Sequence, residues 1–297
     1  MFNDGIDIAI DLSGHTDKNR LLTFAYKPAP IQVSWIGFPG TTGLKTMDYY
    51  LVDEYLCPFG MFHDHFVEKL VYLPSIATFS VPEINIPIAD CPALKNDYVT
   101  FGSFNRTSKI TDQSLDLWCK VLNEVPTSKM VLGNVSDEVL QHQLENEFSK
   151  RGVVIDRLTF YAKKSIPDYL ALHSEVDFIL DTFPYSGATT TSFSLWMGVP
   201  VLTYAFKSLA GRVSAGMLNR IGLKEKFVAE SLEEFVDVAK FWTGHIDELQ
   251  DLRYQLRERM KNSPKTKSEN VAAGLEKALQ MMWEKFCEGK AVGNFTV

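Results

Sequence analysis

Several segments of this chain carry residue types and spacings that could do chemistry. The first is Val176-Asp177-Phe178-Ile179-Leu180, then Asp181-Thr182-Phe183-Pro184-Tyr185-Ser186-Gly187-Ala188, then Thr189-Thr190-Thr191 ahead of Leu195, Trp196 and Met197. The apolar run is continuous rather than alternating, as a strand buried on both faces requires. Pro184 and Gly187 punctuate it, and the three threonines fall where a helix begins. A helix N-terminus offers unpaired N–H groups and the positive end of the dipole. Threonine hydroxyls add donors, and Gly187 lets an anion come close. This is the chemistry of a phosphate or diphosphate seat at the carboxyl end of a parallel strand. Taken alone, the same pattern also describes a Thr-capped helix in an ordinary strand–helix unit.

A second segment, Phe101-Gly102-Ser103-Phe104-Asn105-Arg106-Thr107-Ser108-Lys109, is the end of a strand followed by a polar loop. It leads into a helix capped by Thr111 or Asp112. Lys109 brings a point charge and Arg106 a fork, both suited to phosphate; a solvated basic loop is the plain alternative. Both segments follow strands of one expected sheet, at the end where such sheets bind ligands.

The third, Gly37-Phe38-Pro39-Gly40-Thr41-Thr42-Gly43, is rich in glycine but has neither the dinucleotide spacing nor a Walker Lys-Ser pair. Its backbone can face a ligand, or it can simply make a tight connection. His15, in Ser13-Gly14-His15-Thr16, can act as a general acid or base or bind a sugar hydroxyl; it can equally be an exposed neighbour of a helix cap. Arg212-Val213-Ser214 can bind an anion or be a surface cap. Asp11 and Asp181 end strands, as bases or as caps. His63 and His65 lack the companion ligands of a metal site, so none is assigned.

The elements that must position these residues come in two series. In the first, residues 6–12, 31–36, 49–52 and 70–72 read as strands, with a helix over 18–26 stopped by Lys27-Pro28-Ala29-Pro30. Residues 81–96, with Pro82, Pro87 and Pro92, read as a linker. From residue 97 strands and helices alternate. Strands are expected over 98–104, 129–132, 158–161, 176–180 and 199–203. Helices are expected over 112–123, 137–151, 167–173, 208–220 and 232–242, and two long ones over 246–261 and 268–287. Alternation of this kind predicts a parallel sheet covered on both faces. The domains expected are 1–80, a linker 81–96, and 97–297.

The 297 residues are 45% hydrophobic, enough for two cores. A net charge of −7 and a pI near 5.4 disfavour a general nucleic-acid surface. Cys57, Cys91, Cys119 and Cys287 show no paired spacing and read as reduced thiols of a cytoplasmic protein. No signal peptide and no membrane-spanning run is evident. The first strand follows Met1 almost at once, which reads as an internal strand of a longer protein.

Pro28-Ala29-Pro30-Ile31-Gln32-Val33-Ser34-Trp35-Ile36-Gly37-Phe38-Pro39-Gly40-Thr41-Thr42-Gly43 with Met47-Asp48-Tyr49 is a highly specific string. With Phe104-Asn105, Lys109, the segment 181–191, Leu195-Trp196-Met197-Gly198-Val199-Pro200-Val201 and Arg212-Val213-Ser214, it resembles the catalytic region of the O-linked N-acetylglucosamine transferase and SPINDLY family of protein glycosyltransferases. The likeness runs from about residue 4 to about residue 288. It implies an α/β fold of the GT-B type, two Rossmann-like lobes with the N-terminal lobe incomplete and a nucleotide sugar, most simply UDP-GlcNAc, bound between lobes. By the resemblance, Lys109 pairs with the diphosphate and stabilises the leaving group. Thr189 and Thr190 donate to the β-phosphate, with Asn105, Arg106, Gly187 and Thr191 beside them. Residues 162–169, with Lys164, Ser165 and Tyr169, wall the base and ribose. Gly37 and Pro39, with His15, line the sugar and acceptor pocket. The implied reaction is inverting and metal-independent, with no cofactor, and ends on a Ser or Thr hydroxyl of a polypeptide acceptor. In a full-length chain, tetratricopeptide (TPR) repeats and a further active-site His belong outside these residues. No general base is assigned.

The chain departs from the animal enzymes at Ala188 and Tyr169, where they carry histidines, and at Phe193, where they carry an acidic residue. Those positions bear on the sugar and nucleotide, and plant SPINDLY-type members use a different donor. A GT-B transferase with another donor or a non-protein acceptor is one alternative expectation. An inactive nucleotide-sugar-binding fragment is another.

Overall fold

The computed structural model describes residues 2–77, 79–80, 82–84, 86–263 and 267–297. They fall into two compact units. One comprises Met1–Phe79, Ser208–Ala210 and Ser263–Val297; the other comprises Ser80–Lys207 and Gly211–Asn262.

The first unit is a parallel sheet in the order β1-β2-β3-β4-β11: β1 (Ile8–Asp11), β2 (Ile31–Ser34), β3 (Tyr49–Val52), β4 (Lys69–Tyr72) and β11 (Phe295–Thr296). All four residues of β2 and of β3 are buried; β3 is an unbroken apolar run, whereas β2 buries Gln32 and Ser34 with their side chains hydrogen-bonded. Register is parallel throughout, with Ile8 opposite Ile31 and Tyr49 opposite Lys69. Helix α1 is Leu21–Ala25, shorter than the expected 18–26. Lys18 has φ +57 and Lys27 φ +51, so a left-handed residue stands at each end of the expected span and cannot join a right-handed helix.

Helix α10 (Ser268–Cys287) also belongs to this unit, where the sequence had placed it in the second. It packs beside β2, and Gly274 lets it approach: a Cβ there would lie 3.0 Å from Pro74 Cδ. The chain then returns as β11, with Phe295 opposite Val71 and Asn294 Oδ1 accepting from Leu70 N at 2.8 Å.

The second unit is a parallel sheet in the order β10-β9-β8-β5-β6-β7. Its strands are β5 (Thr100–Ser103), β6 (Lys129–Leu132), β7 (Leu158–Phe160), β8 (Phe178–Leu180), β9 (Val201–Tyr204) and β10 (Val228–Ala229). Its helices are α2 (Asp112–Glu124), α3 (Glu138–Lys150), α4 (Ile166–Ala171), α5 (Thr189–Trp196), α6 (Val213–Arg220), α7 (Lys224–Phe227), α8 (Leu232–Thr243) and α9 (Ile246–Asn262). From β5 the chain builds outward through β6 and β7, then crosses over to build β8, β9 and β10 on the other side. The order therefore reverses between β5 and β8, the switch point at which doubly wound sheets bind ligands. Helices α2, α3, α4 and α8 are N-capped by the side chains of Thr111, Asp137, Ser165 and Ser231.

The expected linker over 81–96 is not a free connection where it is described. Cys91 N donates to Gln250 Oε1 at 2.6 Å and Ala93 N to Asp177 Oδ1 at 3.0 Å. Arg253, buried in α9, donates to the carbonyls of Ala89, Val176 and Asp177. Val81 and Asn85 lie outside the described residues. The helix expected over 208–220 begins only at Val213, and Gly211 before it is tightly packed: a Cβ there would lie 2.5 Å from Phe206 Cβ and 2.7 Å from Pro184 O. No helix among the described residues is long and apolar enough to cross a membrane.

Candidate active site

At the switch point the two segments expected to bind an anion meet within the second unit. After β5, a 3-10 turn over Thr107–Lys109 brings Lys109 back toward the turn that follows β8. Lys109 Nζ donates to Ser186 O at 2.7 Å and lies 4.3 Å from the centre of the Tyr185 ring. An ammonium has three donors, so two remain. Burial lowers the Lys109 pKa; the Asp181 carboxylate opposes this and Arg106 adds to it. Arg106 itself is exposed.

The turn after β8 is built on Asp181, which is 2% exposed. Its Oδ1 accepts from Thr182 N at 2.8 Å, Gly187 N at 2.9 Å and Asn105 Nδ2 at 2.9 Å; its Oδ2 accepts from Thr203 Oγ1 at 2.8 Å. A carboxylate so fully engaged is an anchor for the turn, which decides between the two sequence readings of this residue. Gly187 has no room for a side chain: a Cβ would lie 2.2 Å from Thr191 Oγ1 and 3.3 Å from Asp181 Oδ1.

The chain then enters α5 through Ala188, whose side chain offers no cap. The first intrahelical bond runs from Ser192 N to Ala188 O at 3.0 Å, so the N–H groups of Thr189, Thr190 and Thr191 have no intrahelical acceptor. The three hydroxyls differ. Thr189 is exposed. Thr190 Oγ1 donates to Asn105 Oδ1 at 2.7 Å, and Thr191 Oγ1 meets Ser214 Oγ at 2.8 Å. Asn105 also donates to Thr182 Oγ1 at 3.0 Å, so both ends of its amide serve the protein. It ties the β5 loop to the β8 turn, a role that its place in the sequence did not disclose.

Behind α5 lies a buried aromatic group. The Tyr169 ring meets Phe104, His173 and Phe193 edge-on. Burial raises the Tyr169 pKa, and its hydroxyl has no hydrogen-bond partner among the described residues. His173 is fully buried. Its Nδ1 faces the carbonyls of Tyr169 and Leu170 at 3.0 and 3.2 Å, so Nδ1 carries the proton, and its Nε2 faces Ser194 Oγ at 3.1 Å. Burial holds this imidazole down at about 4, with Arg253 adding to the effect and the two carbonyls opposing it. Ser165 caps α4, its hydroxyl bonding Asp168 Oδ2 at 2.7 Å, and Lys164 is exposed over the Tyr161 ring at 4.8 Å. Neither is joined to Lys109 by a described contact.

In the first unit, Asp11 likewise holds its own turn, accepting from Ser13 N at 3.1 Å, Gly14 N at 2.9 Å and Ser34 Oγ at 3.1 Å. His15, Pro39, Thr41, His65, Phe66 and Leu209 are among the residues lining a pocket of about 340 Å³. Gly37 is packed at its back: a Cβ there would lie 2.2 Å from Leu12 O. His63 is used elsewhere, its Nε2 lying 3.1 Å from Tyr72 Oη. Glu68 and Phe66 were not marked in the sequence, and His65 was weighed there only as a metal ligand. The Thr41-Thr42 pair inside a glycine-rich loop was the available hint, since two adjacent hydroxyls call for a shared acceptor.

The sequence profile of glycosyl transferase family 41 matches residues 1–86 and 83–275. A curated relative from Oryza sativa subsp. japonica, named probable UDP-N-acetylglucosamine–peptide N-acetylglucosaminyltransferase SPINDLY, is 40% identical over 294 residues, covering 97% of this chain and 31% of its own. The Arabidopsis thaliana protein of that activity named SEC is 30% identical, covering 99% of this chain and 31% of its own. Among solved structures, a mutant of the Thermobaculum terrenum O-GlcNAc transferase superposes with a TM-score of 0.85 at 35% identity, over 98% of this chain and 55% of that one. The chain thus spans about a third of the length of the curated relatives it matches.

Proposed function

The chain belongs to glycosyl transferase family 41, and from that premise we propose that it carries the catalytic region of an inverting, metal-independent transferase. The reaction moves N-acetylglucosamine from UDP-GlcNAc to a Ser or Thr hydroxyl of a polypeptide. The fold is two parallel-sheet α/β units of the GT-B type. One observation carries the reading: Lys109 Nζ and the free N–H groups of α5 converge on the Ser186-Gly187 turn at the sheet's switch point.

In the proposed step the acceptor hydroxyl attacks the anomeric carbon and gives up its proton to solvent as the new carbon–oxygen bond forms. The bond from that carbon to the diphosphate oxygen breaks, and negative charge gathers on the departing diphosphate. Two free ammonium donors on Lys109, the N–H groups of Thr189–Thr191 and the exposed Thr189 hydroxyl are fixed in place before that charge appears. They perform what a divalent cation performs elsewhere, so chelators are expected to leave turnover unchanged. The relatives' names support the donor and the peptide acceptor. TPR repeats in a longer chain are the proposed means of recruiting that acceptor.

The test is calorimetric titration of UDP, then GDP, into this chain, with Lys109→Met alongside. The expected result is UDP binding weakened about 10- to 100-fold in the variant, the worth of one charge-assisted hydrogen bond. A preference for GDP would change the donor assigned. Binding of neither nucleotide, or equal binding by the variant, overturns the site.

A further inference from the structure

The 37–43 loop of the first unit is pinned at three places. Gly37 N donates to Trp35 O at 2.8 Å across Ile36, which has φ +65: a γ-turn of the rarer hand at a β-branched residue. Tyr50 Oη donates to Phe38 O at 2.5 Å. The third pin is Glu68, 3% exposed, with no lysine or arginine paired to it among the described residues. Its Oε2 accepts from Thr41 Oγ1 at 2.6 Å, and its Oε1 accepts from Thr42 N at 2.7 Å and from the Thr42 hydroxyl. A buried carboxylate is tolerated only when its lone pairs are filled, and two adjacent threonines fill these.

Thr41 passes this restraint on. Its hydroxyl also accepts from Gly43 N at 3.1 Å, and its carbonyl lies 3.2 Å from His15 Nε2. A carbonyl only accepts, so Nε2 carries the proton, and in the neutral ring Nδ1 is then an acceptor. Nδ1 has no protein partner among the described residues. The Phe38 ring meets the imidazole edge-on at 5.3 Å, and both residues line the 340 Å³ pocket. His65, in the same lining, is exposed, and among the described residues its imidazole meets the Phe62 ring.

We propose that Glu68 is a positioning residue: through Thr41 it holds His15 as the Nε2–H tautomer in the pocket wall, leaving Nδ1 to accept a hydrogen bond from a substrate hydroxyl. That the hydroxyl belongs to the sugar or the acceptor rests on the function proposed above; the positioning does not. The loop needs an outside restraint because Gly37, Gly40 and Gly43 give it little conformational preference of its own.

The test is ¹⁵N imidazole spectroscopy on this chain, on Glu68→Ala, on Glu68→Gln and on Thr41→Val. Parent His15 is expected as Nε2–H. Glu68→Ala is expected to shift the tautomer ratio about fivefold toward Nδ1–H, the loss of one ordinary hydrogen bond, while the His63 and His173 signals stay put. Glu68→Gln should recover part of the shift. If Glu68→Ala does not fold, Thr41→Val removes the hydroxyl's bonds to Glu68, Gly43 N and Val67 N while leaving both Glu68 bonds to Thr42, and is expected to move His15 in the same direction. Unchanged His15 signals in a folded variant overturn the proposal. A second arm follows transfer: KM should rise more than kcat falls in Glu68→Ala and return toward the parent in Glu68→Gln. An unchanged KM overturns the substrate role of His15. If the parent transfers no sugar at all, the proposed function falls, and the imidazole signals alone decide the positioning.

Discussion

The loop after β8 and the loop after β2 both follow a buried parallel strand, yet they are held by opposite means. Asp181 sits at the start of the turn it organises and reaches Thr182 N and Gly187 N locally. Glu68 comes from a segment 26 residues beyond Thr42. The loops also differ in charge. The β8 turn gathers Lys109 and the start of α5, whereas the 37–43 loop carries no charged residue and lines its pocket with imidazoles, aromatic rings and hydroxyls. Under the proposed function the first meets a charge that develops during reaction and the second meets neutral, hydroxyl-bearing groups. The difference teaches that a buried cation and a helix end can be gathered by a local turn, whereas a loop without charge takes its shape from a distant carboxylate.

Lys109→Met tests the charged half most sharply. It is expected to lower sugar transfer by about 10² to 10³-fold, the usual loss on removing one preorganised donor. Thermal unfolding should stay near the parent's, since the side chain is only half-buried. Unchanged turnover would break the comparison.

Asp181→Ala leaves four buried donors without their acceptor. A loss of roughly 3–4 kcal/mol in urea unfolding is expected, together with loss of UDP binding. Glu68→Ala should leave UDP binding intact. Equal losses of UDP binding in both would erase the proposed division.

The buried His173 makes the second unit sensitive to acid. The unfolded imidazole takes up its proton near 6.5, the folded one only at about 4. Between those values the unfolded chain binds more protons, so stability falls as pH falls through the window and is flat above it with respect to this group. The loss approaches about 3 kcal/mol at the acid end. Chemical denaturation at a series of pH values should show the slope, and His173→Gln should flatten it.

The two hydroxyls at the start of α5 give the finest distinction. Thr190→Val removes the bond to Asn105 and should cost about 1 kcal/mol of stability with little change in UDP affinity. Thr189→Val should leave stability alone and weaken UDP about fivefold. The reverse pattern would move the phosphate seat by one residue.

Much of this was legible in the residues. The strands at 49–52 and 129–132 and the helix at 268–287 follow from local apolar pattern and agree with the structure to the residue. Strand–helix alternation disclosed the parallel sheets, because crossover helices oblige them. The Lys109 and Thr189–Thr191 segments were legible because charge and helix starts are local properties. The roles of Asn105, Asp181 and Glu68 were not, since a side chain's acceptors and donors lie up to 85 residues away in the chain.

The sequence by itself determined the family, most of the strands and helices, and the residue types able to neutralise a diphosphate. Each depends on neighbours in the chain or on a string of residues specific enough to be recognised. Tertiary structure alone decided that α10 and β11 complete the first unit and that residues 81–96 are fastened to α9 where they are described. It also decided that Asp11 and Asp181 hold turns, and that Glu68 governs the loop beside His15. A buried polar group must find its partner wherever the fold brings one, and that distance in space is not written in distance along the chain.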